Sequence, residues 1–212
     1  MNATDVAHDV PSEYDEGAAE YDRRWARYNA RSLALLRPWI AGRDLGRVLD
    51  VGCGTANLLR LLTDGGARAS AYAGIDPAPR MLRIARGKAR AMDVRGGFAA
   101  APAEALPFAD GAFDVVITAS TLHDWDNVPA GLAEIRRVLR PGGELMLLDW
   151  DRDPLSMRLL NAWMRITRVG YRRMYSRAEM RAALTNAGFT IDDEARGEAG
   201  GSWRVIAFRC TR

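Results

Sequence analysis

A chain of 212 residues, 48% apolar and 27% charged, carries enough apolar material for one domain with a full hydrophobic core, and two independent domains would divide that core too thinly. No apolar run approaches the ~20 residues that a membrane-spanning helix needs, and a net charge of only +3 argues against a nucleic-acid surface as the main partner. Cys53 and Cys210 are too few for a disulfide framework or a cysteine-rich metal site, so no metal is expected.

The opening segment, MNATDVAHDVPSEYDEG, is polar and acidic without the apolar core of a secretory leader, and the expectation is a cytoplasmic protein. Helical character then runs from about Ser12 to Ile40. Tyr14, Tyr21, Trp25 and Tyr28 follow one another at intervals that put them on one helix face. From there the chain alternates. Strand RVLDVG leads to a helix from Thr55, strand AYAGID to a helix from Pro79, and strand VRGGFAAA to the loop PAEALPFADGA. Strand FDVVITAS precedes helix PAGLAEIRRVL, the turn RPGG and strand ELMLLDW. Short apolar strands alternating with helices are the mark of a parallel sheet flanked by helices, joined by right-handed crossovers. After Trp150 the segment DPLSMRLLNAWMRITRVGYRRMY reads as helical, and its basic part, Met164 to Arg177, as a solvated face of snorkelling arginines. Ser176 and Glu179 form a capping-box pattern at the next helix, and the C-terminal residues read as two strands joined at Gly200-Gly201, giving an antiparallel edge strand. His8 falls in an opening tail expected to be disordered.

In a doubly wound sheet the ligand lies at the carboxyl ends of the strands, beside the turn after the first one. That turn is VLDVGCGTANLL, in which Gly52 and Gly54 let the backbone approach a ligand. A dinucleotide fingerprint needs a third small residue where Asn57 stands, and the sequence contains no phosphate-binding G-x-x-x-x-G-K-[ST]. Asp76, closing the next strand, is suited to accepting hydrogen bonds from ribose hydroxyls. Asp50 would repel a pyrophosphate but would hold an ammonium group. A nucleoside with a cationic amino-acid tail is S-adenosylmethionine.

Four blocks in this order resemble the class I S-adenosylmethionine-dependent methyltransferases, in the type 11 small-molecule group that includes quinone-biosynthesis and natural-product enzymes. They are VLDVGCGTANLL, GIDPAPRMLRIAR, AEALPFADGAFDVVITASTLHDW and EIRRVLRPGGELMLLD. The resemblance implies an α/β doubly wound fold with a seven-stranded, mostly parallel sheet of the Rossmann-like methyltransferase type, a C-terminal antiparallel hairpin and a helical lid. It divides the chain into an N-terminal helical cap (12–41), a cofactor-binding core (46–150), a lid insertion (151–175) and a C-terminal helix with strand hairpin (176–212). It places Asp50, Gly52 and Gly54 around the methionine tail, Asp76 on the ribose, and Pro77, Met81 and the backbone of Ala103 at the adenine. Thr118 joins this cofactor set, and Tyr14 and Tyr21 resemble tyrosines that close over the cofactor. Two departures stand out: Ala56 replaces a customary glycine, and Pro102 replaces the aspartate that takes the adenine amino group, so that either Glu104 takes its role, a backbone carbonyl does, or affinity is lower.

Methyl transfer from a sulfonium is a displacement that depends on alignment and exclusion of water. A hydroxyl acceptor adds the need for a base, and His123, just past the fourth strand with Asp124 and Asp126 beside it, is the expected general base for O-methylation. The other reading of His123 is packing beneath the pocket. C- or N-methylation by positioning alone, or cofactor binding without turnover, are the alternatives, with a nicotinamide oxidoreductase third. The partner implied is a small, aromatic or apolar methyl acceptor, without nucleic acid or membrane insertion. The product would be S-adenosylhomocysteine. Trp25, Trp163, Tyr171 and Tyr175 are the expected acceptor-binding residues, and Arg172 and Arg173 are placed to meet an anionic group on it.

Overall fold

Strands β1 (Arg47–Val51), β2 (Ala71–Ile75), β3 (Gly96–Ala99), β4 (Phe113–Ala119), β5 (Leu139–Trp150), β6 (Thr190–Gly200) and β7 (Trp203–Thr211) pair in the computed structural model, which describes residues 10–167 and 171–212. They form one seven-stranded sheet in the order β3-β2-β1-β4-β5-β7-β6. β3, β2, β1, β4 and β5 are parallel neighbours, and β7 runs antiparallel to both β5 and β6. The strand order reverses between β1 and β4, which opens a crevice at their carboxyl ends.

The apolar runs of the central strands are long because both of their faces are covered. Leu49, Val51, Val116 and Leu145 pack against α5 (Val128–Val138) and α7 (Arg177–Asn186) through Leu132, Ile135, Met180 and Leu184. On the opposite face Val48, Ile117, Met146 and Leu148 meet Ile40 of α2 (Arg37–Ile40), Leu59 and Leu62 of α3 (Asn57–Asp64) and Ala85 of α4 (Pro79–Ala91). Alternate residues of one strand thus feed two cores, as the pleat requires.

Helix α1 (Val10–Leu33) precedes the sheet and reaches across its edge, with Trp25 and Tyr28 packed edge-on against Trp203 of β7. Its Asp15 Oδ1 accepts from the Arg80 backbone N–H at 2.5 Å, setting a carboxylate at the positive end of α4. The loop between β3 and β4 is pinned from α5. Glu134 Oε2 accepts the Leu106 N–H at 2.9 Å, and the Arg137 guanidinium donates to the carbonyls of Leu106 (3.0 Å) and Phe108 (2.7 Å).

Three expectations change. The C-terminal hairpin inserts its second strand into the sheet, so antiparallel β7 is internal and β6 takes the edge. The reason is composition: β7 carries the wholly buried run Val205 to Phe208, while most of the β6 positions are polar and partly exposed. The RPGG turn is absorbed within β5 as an irregularity opposite Phe113 and Val115, with Gly142 at φ +69°. Helix α6 (Leu155–Thr167) stops well before Tyr175, since Tyr171 to Tyr175 are not helical. The capping box at α7 is present, with Ser176 Oγ accepting the Glu179 N–H (3.2 Å) and Glu179 Oε2 accepting the Ser176 N–H (2.7 Å). His8 and residues 168–170 lie outside the described residues.

Candidate functional site

β1 ends at Val51 and reverses through the glycine turn into α3. Gly52 sits at φ +70°, where a Cβ would stand 2.3 Å from Thr121 Cγ2, whereas a Cβ on Gly54 (φ +51°) would meet nothing within 4 Å. One glycine is therefore demanded by packing, and the other leaves an open backbone face. Ala56 follows at φ 60°, ψ 45°, a left-handed conformation that costs an L-residue roughly 1–2 kcal/mol. Losing its buried methyl costs ~0.8 kcal/mol, so Ala56→Gly is expected to be neutral or stabilising by up to about 1 kcal/mol. Ala56→Val should lose about 2 kcal/mol or more, because a branched Cβ is least compatible with positive φ. Urea unfolding of the two variants reads both signs.

Asn57 has a task unrelated to close helix–strand packing. The Asp22 carboxylate of α1 accepts from Thr55 Oγ1 (2.6 Å) and Asn57 Nδ2 (3.2 Å), and it pairs with Lys88 Nζ at 2.7 Å. Lys88, the one lysine in the sequence, also donates to Thr55 Oγ1 (3.0 Å) and Asn57 Oδ1 (2.9 Å). This knot ties α1 and α4 to the turn. Sequence reasoning missed Asp22, Asn29 and Ser32: eleven residues after Tyr21, Ser32 shares its face of α1, and Asp22 and Asn29, seven apart, form a polar stripe beside that face.

The crevice is a cavity of about 410 Å³, within the size range of small-molecule sites. Tyr14, Tyr21, Asp50, Gly52, Gly54, Asp76, Pro77, Met81, Ala103 and Glu104 all line it, as do Asn29, Ser32, Ser120, Asp124, Trp125 and Arg172. Asp50 is almost wholly buried, and its one hydrogen-bond donor among the described residues is the Tyr72 hydroxyl at 2.6 Å. Burial pushes its carboxyl up to about 7, with the Tyr72 bond opposing the rise and the Asp76 charge adding to it. Asp76 is also raised by burial, against the backbone N–H groups of Ala78 (2.9 Å) and Gly54 (2.8 Å) that favour its ionised form. Two acids without cationic partners among the described residues thus face the cavity from neighbouring strand ends. They fit a ligand that brings an ammonium and a pair of hydroxyls, while Leu58, Met81, Ala101 and Ala103 supply apolar wall for a ring. Pro102 lines the wall without a side-chain acceptor, and Glu104 Oε1 takes the Asn127 N–H at 2.9 Å.

Other expected residues lie elsewhere. Thr118 is buried behind the wall, its hydroxyl 2.9 Å from that of Thr121. Trp25, Trp163, Tyr171 and Tyr175 are not among the cavity-lining residues. Trp163 is 61% exposed, Tyr171 is buried with its hydroxyl on Asn161 Oδ1 (2.9 Å), and Arg173 lies over the ring of Tyr175. Arg172 does line the cavity, where it is paired with Asp126.

His123 is also set back from the cavity wall. It is 1% exposed, its Nδ1 lies 2.7 Å from Asp149 Oδ1, and its ring stacks on Trp150 at 3.6 Å. Nε2 is 3.4 Å from Asp124 Oδ2. Asp124 stands between the histidine and the cavity: Tyr14 donates to its Oδ2 at 3.1 Å, and its Oδ1 is buried without a hydrogen-bond partner among the described residues.

Residues 49–147 match the model of a methyltransferase domain family. A demethylmenaquinone methyltransferase from Thermus thermophilus is 40% identical over 133 residues, covering 63% of this chain and 57% of that protein. A ubiquinone/menaquinone biosynthesis C-methyltransferase UbiE from Dinoroseobacter shibae is 37% identical over 118 residues, covering 55% and 47%. This chain therefore spans about half the length of these relatives. A solved S-adenosylmethionine-dependent methyltransferase from Aquifex aeolicus shares the fold at a TM-score of 0.71 and 18% identity, covering 93% of this chain and 97% of that one. Residues 49–147, which carry the glycine turn and the strand-end acids of the doubly wound sheet, are thus a methyltransferase domain, similar in sequence to quinone-biosynthesis methyltransferases and in fold to an S-adenosylmethionine-dependent one.

Proposed function

We propose that the protein transfers a methyl group from S-adenosylmethionine to a ring carbon of a small, electron-rich aromatic acceptor of the hydroquinone kind. When bound, S-adenosylmethionine supplies an electrophilic methyl on a sulfonium. Asp50, Gly52 and Gly54 would hold its amino-acid tail, Asp76 its ribose, and Met81, Ala101 and Ala103 its adenine. Tyr14 and Tyr21, packed edge-to-face at 6.1 Å on α1, close the cavity over this region and help exclude water. In this reading residues 12–41 act as a cap and 151–175 as a lid.

The observation that carries the acceptor class is Asp124. Removing a phenolic proton raises electron density on the neighbouring ring carbons. Of the wall carboxylates, Asp124 is left to take that proton once Asp50 and Asp76 hold the cofactor, Glu104 the Asn127 N–H and Asp126 the Arg172 guanidinium. After methyl transfer the ring carbon gives up its own proton, which restores the aromatic ring and its hydroxyl. His123 would then act through Asp124, with Asp149 fixing the ring from behind. The UbiE relative is named as a C-methyltransferase, which supports carbon as the receiving atom. O-methylation with His123 as direct base is the second reading, favoured by the Asp149–His123 pair but needing the ring to reach the cavity.

The test is to incubate the protein with S-adenosylmethionine and a reduced, short-prenyl 1,4-naphthoquinone. S-adenosylhomocysteine should form, with one new methyl that NMR places on ring carbon. A methyl on oxygen selects the second reading, and tight cofactor binding without product leaves a binding domain. With a turned-over acceptor, Asp124→Asn is expected to lower kcat by about 10²–10³-fold. His123→Ala should cost about tenfold. The reverse order of these losses would make His123 the direct base.

A further inference from the structure

Among the described residues, the large apolar side chains that stand exposed are Leu155 (68%), Leu159 (65%), Trp163 (61%) and Ile166 (86%), and all four belong to α6. Their spacing of four, four and three puts them on one ridge of the helix. The opposite ridge, Met157, Asn161 and Met164, is buried against Trp150, Tyr171 and Met174. A surface helix of a globular protein normally turns a polar face outward. This one is held down by one apolar face and presents a second.

The flank of the outer ridge carries Arg158 and Arg165, seven residues apart, both exposed and neither with a carboxylate within 4 Å among the described residues. The helix contains no acid. An apolar ridge with an aromatic residue, bordered by unpaired arginines, matches the requirements of a helix lying in the plane of a membrane surface, where apolar side chains enter the acyl boundary and cations meet anionic headgroups. A second copy of the chain fits less well. Four side chains fall far short of the about 20–30 residues per side that a stable dimer uses, and two such faces would bring arginine rows together.

We propose that the outer face of α6 docks on an anionic lipid bilayer surface, as a peripheral contact that leaves the helix folded on the protein. The proposal stands apart from the reading of the cavity.

The test is co-sedimentation of the full chain with vesicles of phosphatidylcholine alone and of phosphatidylcholine with phosphatidylglycerol. The wild type should sediment with the anionic vesicles at least tenfold more strongly than with the neutral ones. The double variant Leu159→Glu/Ile166→Glu should lose that binding, and Arg158→Ala/Arg165→Ala should weaken it and flatten its salt dependence. All these positions are exposed, so thermal melts should match the wild type, which separates lost docking from lost fold. No sedimentation of the wild type, or equal sedimentation of the Glu variant, overturns the proposal. So does a wild-type dimer in solution that the Glu variant splits without any vesicle binding. S-adenosylhomocysteine titration reports on the cavity independently of either result.

Discussion

Asp50→Asn is expected to lower affinity for S-adenosylhomocysteine about a hundredfold at pH 8 while making the protein's stability less sensitive to pH. Both effects come from one buried carboxylate at the end of β1. Its hydrogen-bond donor is the neutral Tyr72 hydroxyl, and burial has raised it to about 7. A ligand ammonium would supply the missing countercharge, and charge-assisted hydrogen bonds of this kind contribute about 1.5–3 kcal/mol. Since the ammonium pairs with the ionised form, wild-type affinity should fall as pH drops below about 7, approaching tenfold per unit, and the Asn variant should show a weak, flat profile. The stability sign is opposite. An acid whose folded value is raised costs nothing below its unfolded value near 4, loses stability as pH climbs toward 7, and bears the full cost above it. With a rise of about three units, that cost is on the order of 4 kcal/mol. The wild type should therefore lose stability relative to Asp50→Asn between pH 4 and pH 7. Calorimetric titration and urea unfolding across this range check the two slopes, and a variant with wild-type affinity at every pH would remove Asp50 from the cofactor site.

The parts of this site that were legible from residues alone are those that a strand end must place. Asp50, Gly52, Gly54 and Asp76 are fixed to the crevice by the parallel topology, because a residue closing a central strand has only one edge to occupy. Tyr14 and Tyr21 were legible through helix periodicity. Where the other side chains lie depends on packing that no spacing encodes. His123 follows β4 at the catalytic edge, yet Asp149, on neighbouring β5 just past the Leu148 that pairs with Ala119, holds its ring inward against Trp150 and leaves Asp124 at the wall. Trp163 belongs to a helix that is apolar on both faces, and the sequence pattern gives no reason to prefer one face over the other. The place of β7 inside the sheet was legible in principle, since its apolar run requires two covered faces and the polar β6 does not.

The second large effect belongs to Asp76. Its two carboxylate oxygens already receive the N–H groups of Gly54 (2.8 Å) and Ala78 (2.9 Å), so the side chain both shapes the glycine turn and keeps lone pairs for a ligand. Asp76→Ala removes both functions. It should cost a few kcal/mol of stability by leaving two backbone donors short of partners, and it should lower S-adenosylhomocysteine affinity about 10²–10⁴-fold through loss of two charge-assisted bonds to the ribose. A damaged turn alone would weaken binding too, so the variant must be read through ligands that differ only at the ribose. The wild type should prefer adenosine to 2′-deoxyadenosine and 3′-deoxyadenosine by about tenfold or more for each missing hydroxyl. In Asp76→Ala, and in the gentler Asp76→Asn, that preference should collapse toward unity even where absolute binding is weak. If the variants keep the wild-type preference while all affinities fall together, Asp76 serves the turn only, and another group must hold the ribose.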